Sequence, residues 1–509
     1  MSKRDLIAEL QAGIHQARAR VYRVGESTPL QEIELEGVSN PVWVKREDLG
    51  PVKAYKWRGA FNAMACLSPA QRAAGVVAAS AGNHAQGIAI GARVLSCQAV
   101  IFMPRPTPIV KQKAVMAHGG EGVTIRLVGD RFSEAQEAAL AYAKDAHAPF
   151  IPPYDSIEVM AGQGTLADEI FTSGEGPFDR VYVAVGGGGL ASAVATWLKS
   201  SWPGVKVIGV EGVDQASMSL AFQNGGPVGL DYVDLFCDGT AVTQVGELTY
   251  EICRSQLDEI ITVTNEEVAA AIKAHWDGLR VIPEPSGAMS LAGFLKEQRS
   301  GVLGPEEKIL TILCGANMDF AKVAEISRRA GIDLEEKRSF RFLIPEEKGS
   351  LIQLLDDLPA EVSITDLQYG RTATDPQQPV LSLDISKADE KAFDEWMSQR
   401  DVMDATNDPQ VRYRTIPFSR SLFVAPLFVE IEFRERAGAL LGFMKKVSPL
   451  ASLCYFNYRY SGEQVGRALL GLDFASEDER DSGRRYLFGE GGSGGQGVRS
   501  VKEVEFLNC

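Results

Sequence analysis

PVWVKREDLGPVKAYKWRGAFN, residues 41–62, ends an apolar strand pattern in a dense cluster of positive charge and sets Lys56 between two aromatic residues, Tyr55 and Trp57. Lys45, Arg46, Lys53 and Arg58 lie close by in sequence. Like charges around an ammonium favour its neutral, nucleophilic form, so Lys56 is the leading candidate for covalent chemistry. The plain alternative is a solvated basic loop, the commonest use of lysine.

Downstream of this stretch, short apolar runs alternate with helix-length segments: GVVAAS from Gly75, then QAVIFMP, VTIRLV, RVYVAV, VKVIGVE, EIITV and ILTIL. Runs unbroken by polar residues and spaced this way predict parallel strands buried on both faces, hence an open α/β architecture to about Phe320. The N-terminal Leu6, Leu10, Ile14 and Val21 predict an amphipathic helix, and Asp5 and Glu9 interrupt any secretory-type apolar core.

Three strand ends carry chemistry-bearing residues. SAGNHAQG (Ser80–Gly87) follows GVVAAS and opens a helix, where backbone N–H groups suit an anion such as a carboxylate. VYVAVGGGGLASAV puts Gly186, Gly187, Gly188 and Gly189 between a strand and a helix, a setting for a phosphate. Gly186, Gly188 and Ala191, with Glu211 following, also satisfy a dinucleotide fingerprint, so a nicotinamide-dependent oxidoreductase stands as a rival reading. CGAN (Cys314–Asn317) follows ILTIL, and EPSGA (Glu284–Ala288) is a Pro-restricted turn before a helix. Thr264 with Glu267 is a capping box and purely structural.

The lysine segment, SAGNHAQG, the glycine run, EPSGA and CGAN, in this order over about the first 320 residues, resemble the pyridoxal-phosphate enzymes of the tryptophan-synthase β type (fold type II), in the threonine dehydratase branch. The resemblance implies that Lys56 carries pyridoxal 5'-phosphate beside Tyr55 and removes the substrate Cα proton. It implies that Gly186–Leu190 hold the phosphate, that Asn83 meets the ring's phenolic oxygen, and that Glu284 lies near the ring. Cys314 would face the pyridine nitrogen, which a weak S–H partner leaves largely unprotonated. Ser80, Ala81, Gly82, Asn83 and His84 would hold the substrate carboxylate. Related racemases carry a serine acid–base at the position of Ala81, and alanine transfers no proton, which favours elimination. Ala54 stands where serine is usual. The implied activity is a threonine ammonia-lyase releasing 2-oxobutanoate from L-threonine as a regulated step of isoleucine biosynthesis. A serine dehydratase of the same fold and a catalytically dead effector sensor are the alternatives. A homotetramer is implied as well.

With 509 residues the chain is too long for one core. A net charge of −15 disfavours nucleic acid as a partner, and no apolar run is long enough to cross a membrane. Seven widely spaced cysteines form no C-x-x-C pair and point to a reducing, cytoplasmic compartment, and the five histidines show no metal-site spacing, so no metal is assigned.

Past Arg338 the glycine loops stop and a repeat begins. FRFLIPEEKGSLIQLL aligns with VEIEFRERAGALLGFM at an offset of 438 − 349 = 89, which also pairs Tyr369 with Tyr458, Leu383 with Leu472 and Asp384 with Asp473. Each copy reads as strand, turn, helix, strand, strand, and resembles the α+β ACT-like modules of biosynthetic threonine dehydratases, which bind amino-acid effectors. The expected division is a catalytic domain over residues 1–330 and regulatory modules over 338–412 and 425–509, joined by a linker around Ala405–Arg420. The glycine-rich stretch Gly489–Gly497 reads as a flexible loop inside the last module, with no assigned function.

Overall fold

Apolar runs of four to seven residues become the strands that position the site. The computed structural model describes residues 3–333 without a break. Beyond these it describes 337–345, 353–359, 362–368, 379–385, 390–408, 411, 423–434, 449–458, 465–488 and 498–504, apart from single positions within those stretches. Two units separate, Met1–Ala330 and Gly331–Cys509.

In the first unit the seven runs are all parallel strands, but they divide between two sheets. β1 (Leu30–Ile33), β2 (Val42–Arg46), β6 (Arg180–Ala184), β7 (Lys206–Gly212), β8 (Glu259–Val263) and β9 (Ile309–Leu313) form a six-stranded sheet ordered β1-β2-β9-β6-β7-β8. β3 (Val76–Ala79), β4 (Ala99–Met103) and β5 (Val123–Leu127) form the second. β1 is antiparallel to β2 and caps one edge. Burial on both faces holds for β3, β6 and β9, whereas β5 and β8, at sheet edges, expose part of one face. An edge strand keeps the β-branched composition of a central one, which is why the residues alone do not distinguish them.

The N-terminal helix Lys3–Val21 buries Leu6, Leu10, Ile14, Ala17 and Val21 against Trp57, Ile90, Met160 and Ala161. Thr264 and Glu267 form the expected capping box, Glu267 N donating to Thr264 Oγ1 at 3.1 Å and Thr264 N to Glu267 Oε2 at 2.8 Å. No helix among the described residues is long and apolar enough to cross a membrane.

The second unit contains two antiparallel sheets of one design. β10 (Lys337–Phe342), β11 (Ser363–Gln368), β12 (Val380–Asp384) and β13 (Val402–Asp404) run β11-β12-β10-β13; β14 (Ala425–Arg434), β15 (Ser452–Tyr458), β16 (Val465–Phe474) and β17 (Val498–Glu503) run β15-β16-β14-β17. The 89-residue offset carries buried Phe340, Phe342, Leu381, Leu383 and Ile385 onto buried Val429, Ile431, Leu470, Leu472 and Phe474. Each copy has more than the sequence pattern predicts, namely a second helix (Glu390–Met397; Glu477–Phe488) and a fourth strand. Helix end and final strand start lie 402 − 397 = 5 positions apart in the first copy and 498 − 488 = 10 in the second, so the offset breaks at this strand. Gly349, Gly438, the paired tyrosines' surroundings at 369–370, most of the linker and the stretch 489–497 lie outside the described residues.

Candidate active site

Lys56 stands at the N-cap of the helix Trp57–Cys66, immediately after a segment clamped to the end of β9. Tyr55 N donates to Cys314 O at 3.1 Å and Ala316 N to Lys53 O at 2.8 Å, an isolated antiparallel bridge centred on Ala54 and Gly315. This bridge brings two predicted site residues, Lys56 and Cys314, to the same strand end. Lys56 is half-buried and its Nζ donates to Gly239 O at 3.2 Å. Its amine is shifted below the ordinary lysine value by burial, against the opposing pull of Glu284, Cys314 and Asp238.

The cause therefore differs from the one the sequence suggests. Of the neighbouring cations Lys53 is exposed, and Lys45, Arg46 and Arg58 are paired with buried carboxylates. Arg58 donates to both oxygens of Glu47, at 2.8 and 3.0 Å, and to both of Glu169, at 2.6 and 3.0 Å. Lys45 donates to Glu169 at 2.5 Å, and Arg46 pairs with Asp48 at 2.8 Å. Burial would raise the Glu169 carboxyl, yet Arg58 and Lys45 hold it down at about 2. The two aromatic neighbours also separate: Trp57 is buried with the N-terminal helix, while Tyr55 packs on the core of the large sheet.

SAGNHAQG occupies the end of β3 and the start of the helix Asn83–Leu95, as the motif predicts. Gly82 N donates to Ser80 Oγ at 3.2 Å, and Ala81 is half-buried beside it. Asn83 and Glu284, 201 residues apart, meet directly, Asn83 Nδ2 donating to Glu284 Oε1 at 2.7 Å, and Asn317 Nδ2 donates to Asn83 Oδ1 at 2.9 Å. His84 is fully enclosed instead: its Nε2 lies 3.0 Å from Ile151 O, and burial lowers its pKa to about 4. The ring is thereby engaged in the wall of the small sheet.

Glu284 is the N-cap of the helix Pro285–Ser300. Burial, then Asp238, raise its carboxyl to about 7. Ser286 approaches Thr240, Oγ to Oγ1 3.2 Å, and Cys314 Sγ donates to Ser286 O at 3.4 Å. Burial, with Glu284 adding to it, pushes the Cys314 thiol up to about 12, so it is an S–H group at neutral pH.

A carboxyl protonated in the folded chain and ionised in the unfolded one gives a pH signature. Between about 4.5 and about 7 the folded state binds more protons at Glu284, so its contribution to stability falls as pH rises through that window. Glu284→Gln is expected to flatten this slope in a pH series of thermal melts of the cofactor-free chain. A melting profile with the same slope in both proteins would refute the assignment.

The glycine run joins β6 to the helix Gly189–Ser201. Gly188, at φ 90°, is the N-cap and provides no side-chain cap, so the start of the helix lacks a side-chain acceptor there. A Cβ on Gly187 would stand 2.3 Å from the Tyr154 ring. Leu190 is buried in the first turn. Gly186 lies against Thr240, next to the Gly239 carbonyl that accepts the hydrogen bond from Lys56 Nζ, which links this loop to the lysine. The dinucleotide reading fails on its acid: Glu211 is fully buried, accepting from Met218 N, Ser219 N and Ser219 Oγ at 2.7, 2.9 and 2.6 Å, and so caps a helix.

Sequence reasoning missed the loop Cys237–Thr240, and with it the ion pair of Lys111 with Asp238 and the Gly239 carbonyl. It also missed Tyr154 and Gln163 against the glycine run. One signal was legible: AGQG (Ala161–Gly164) puts two glycines inside a helical pattern, which marks close packing. A Cβ on Gly162 would stand 2.3 Å from Arg58 O.

These residues fit pyridoxal phosphate: a lysine amine driven toward neutrality by burial, a glycine-cradled helix start without a side-chain cap, a carboxamide and a neutral thiol. Residues 22–315 match the family described as pyridoxal-phosphate dependent enzymes, and residues 425–484 match the C-terminal regulatory domain of threonine dehydratase. The chain is 38% identical over 472 residues to the L-threonine dehydratase biosynthetic IlvA of Pasteurella multocida, covering 90% of each. This chain is a biosynthetic threonine dehydratase family member. Another threonine dehydratase, the biosynthetic IlvA of Haemophilus influenzae, is 36% identical over 471 residues, 91% of this chain and 90% of that one. Among solved structures, the processed form of threonine deaminase isoform 2 from Solanum lycopersicum matches with a TM-score of 0.60 and 40% identity, covering 64% of this chain and 94% of that one. Family membership makes the chain a pyridoxal-phosphate-dependent lyase of fold type II with a C-terminal regulatory region, and it removes the nicotinamide alternative.

Proposed function

We propose that this chain converts L-threonine to 2-oxobutanoate and ammonia, and that an amino-acid effector acting on its C-terminal half controls the rate. The observation that carries the reading is the convergence of the Lys56 amine, the Asn83–Glu284 pair and the Cys314 thiol at one strand end, in a chain with threonine dehydratase relatives along nearly its whole length.

Pyridoxal phosphate, when bound, supplies the electron sink for the pair left at Cα. Lys56 would hold it, and the freed amine, its pKa lowered by burial, would take the Cα proton. The N–H groups of Gly186–Leu190 would hold the phosphate. Asn83, braced by Glu284 and Asn317, would meet the phenolic oxygen, with Tyr55 next to Lys56. Cys314, as a thiol, offers the ring nitrogen a weak partner and no charge. Ser80 to His84 form the carboxylate loop, with His84 acting through the wall it anchors. Ala81 puts no proton donor on the face opposite Lys56, which supports elimination over racemisation. Loss of the Cα proton and the β-hydroxyl expels water, and the released 2-aminocrotonate tautomerises and takes up water to give 2-oxobutanoate and ammonia.

The catalytic part would comprise residues 1–330 and the regulatory modules residues 338–412 and 425–509, in a cytoplasmic homotetramer that responds to isoleucine, with L-serine as a secondary substrate. Two sheets of the same strand order support paired effector modules. The test is 2-oxobutanoate release from L-threonine by the purified chain with pyridoxal phosphate, with and without isoleucine. Turnover suppressed by isoleucine is expected. Turnover indifferent to it would remove the isoleucine assignment alone, and a cofactor-loaded protein inert toward threonine would remove the substrate assignment.

A further inference from the structure

The helix Ile157–Thr172 carries Gln163, whose side chain is 1% exposed and whose Oε1 has no hydrogen-bond partner among the described residues. An unpaired buried amide oxygen is costly, and in a native fold it asks for a reason. Its position supplies one. Oε1 stands 2.9 Å from where a Cβ on Gly189 would be, beside Tyr154, so the amide abuts the first residue of the helix whose N-cap, Gly188, has no side-chain acceptor. At its other end the Gln163 Cγ lies 3.0 Å from the Cβ position of Gly59, in the first turn of the helix that Lys56 caps. One side chain thus spans the glycine run and the lysine helix.

A carboxamide turns about its terminal torsion, exchanging its oxygen for the NH₂ group at small cost. In that orientation Gln163 presents N–H donors to a phosphate, which is an acceptor of charge-assisted hydrogen bonds. We propose that Gln163 is a further ligand of the cofactor phosphate, completing with its side chain the anion site that Gly186–Leu190 build from backbone N–H groups. The inference rests on the assignment of that loop to the phosphate.

The test titrates the full-length chain, stripped of cofactor, with pyridoxal 5'-phosphate and separately with pyridoxal, following the visible absorbance of the bound aldehyde. Wild type, Gln163→Met and Gln163→Glu are compared, with melting curves of the cofactor-free proteins as a fold control. Gln163→Met is expected to weaken pyridoxal phosphate binding about 10- to 100-fold, as for loss of a hydrogen bond to a charged group, and Gln163→Glu to weaken it further by like-charge repulsion. Pyridoxal binding should change by less than about twofold, since it has no phosphate for the amide to meet. Equal losses for both ligands would reduce Gln163 to a packing residue, and unchanged binding of both would exclude it from the site. A wild-type chain that bound pyridoxal as tightly as its phosphate would overturn the phosphate loop itself, and this inference with it.

Discussion

Lys56→Ala is expected to lower threonine turnover by at least about 10⁴-fold and to abolish the visible absorbance of the cofactor-loaded chain. The size follows from the two roles the amine combines, covalent attachment of the cofactor and proton transfer at Cα. The fold should survive. The backbone at Lys56 is helical, with φ −61° and ψ −19°, its carbonyl still accepts from Ala60 N at 3.1 Å, and the side chain's hydrogen bond among the described residues, to Gly239 O, lies at the site and not in the core. The measurement pairs 2-oxobutanoate release with a melting curve. A Lys56→Ala protein that retained a tenth of the wild-type rate would end the assignment of this lysine.

Arg58→Met is expected to destabilise the chain by about 3–5 kcal/mol, although Arg58 belongs to the same helix and stands two residues away. Arg58 is fully buried and satisfies four carboxylate oxygens, those of Glu47 and Glu169. Methionine fills the space but leaves two buried carboxylates that share Lys45 as their cation, with Thr28 and Tyr22 as neutral donors. The penalty is chiefly that of uncompensated charge, so adding Glu47→Gln to Arg58→Met, which leaves Lys45 paired with Glu169, should recover much of it. Denaturant unfolding of the three proteins checks this. A loss below about 1 kcal/mol in the single variant would mean that the network relaxes into water.

The contrast between these neighbours marks the reach of sequence reasoning. Lys45, Lys56 and Arg58 form one cluster in the linear chain, and nothing in their spacing separates the reactive residue from the structural ones. In the fold, Lys45 and Arg58 turn to Glu169, contributed by a helix more than a hundred residues downstream, and Lys56 turns to the Gly239 carbonyl. The expected like-charge activation of Lys56 was therefore replaced by burial. Glu211 illustrates the same point: its distance from the glycine run fits a ribose ligand, and its carboxylate caps a helix.

Features governed by local rules were readable from the residues. The seven apolar runs are strands because a continuous β-branched stretch of that length has few other ways to bury itself. The glycine loops and the Thr264–Glu267 cap depend on backbone freedom and short-range hydrogen bonds, and the 89-residue repeat on side-chain character recurring at one interval. The Asn83–Glu284 bond, the Lys111–Asp238 pair and the division of the strands between two sheets have no such local cause. They join residues brought together by packing, and their protonation depends on how far each is removed from water and on which charges arrive beside it. Those quantities are properties of the folded chain.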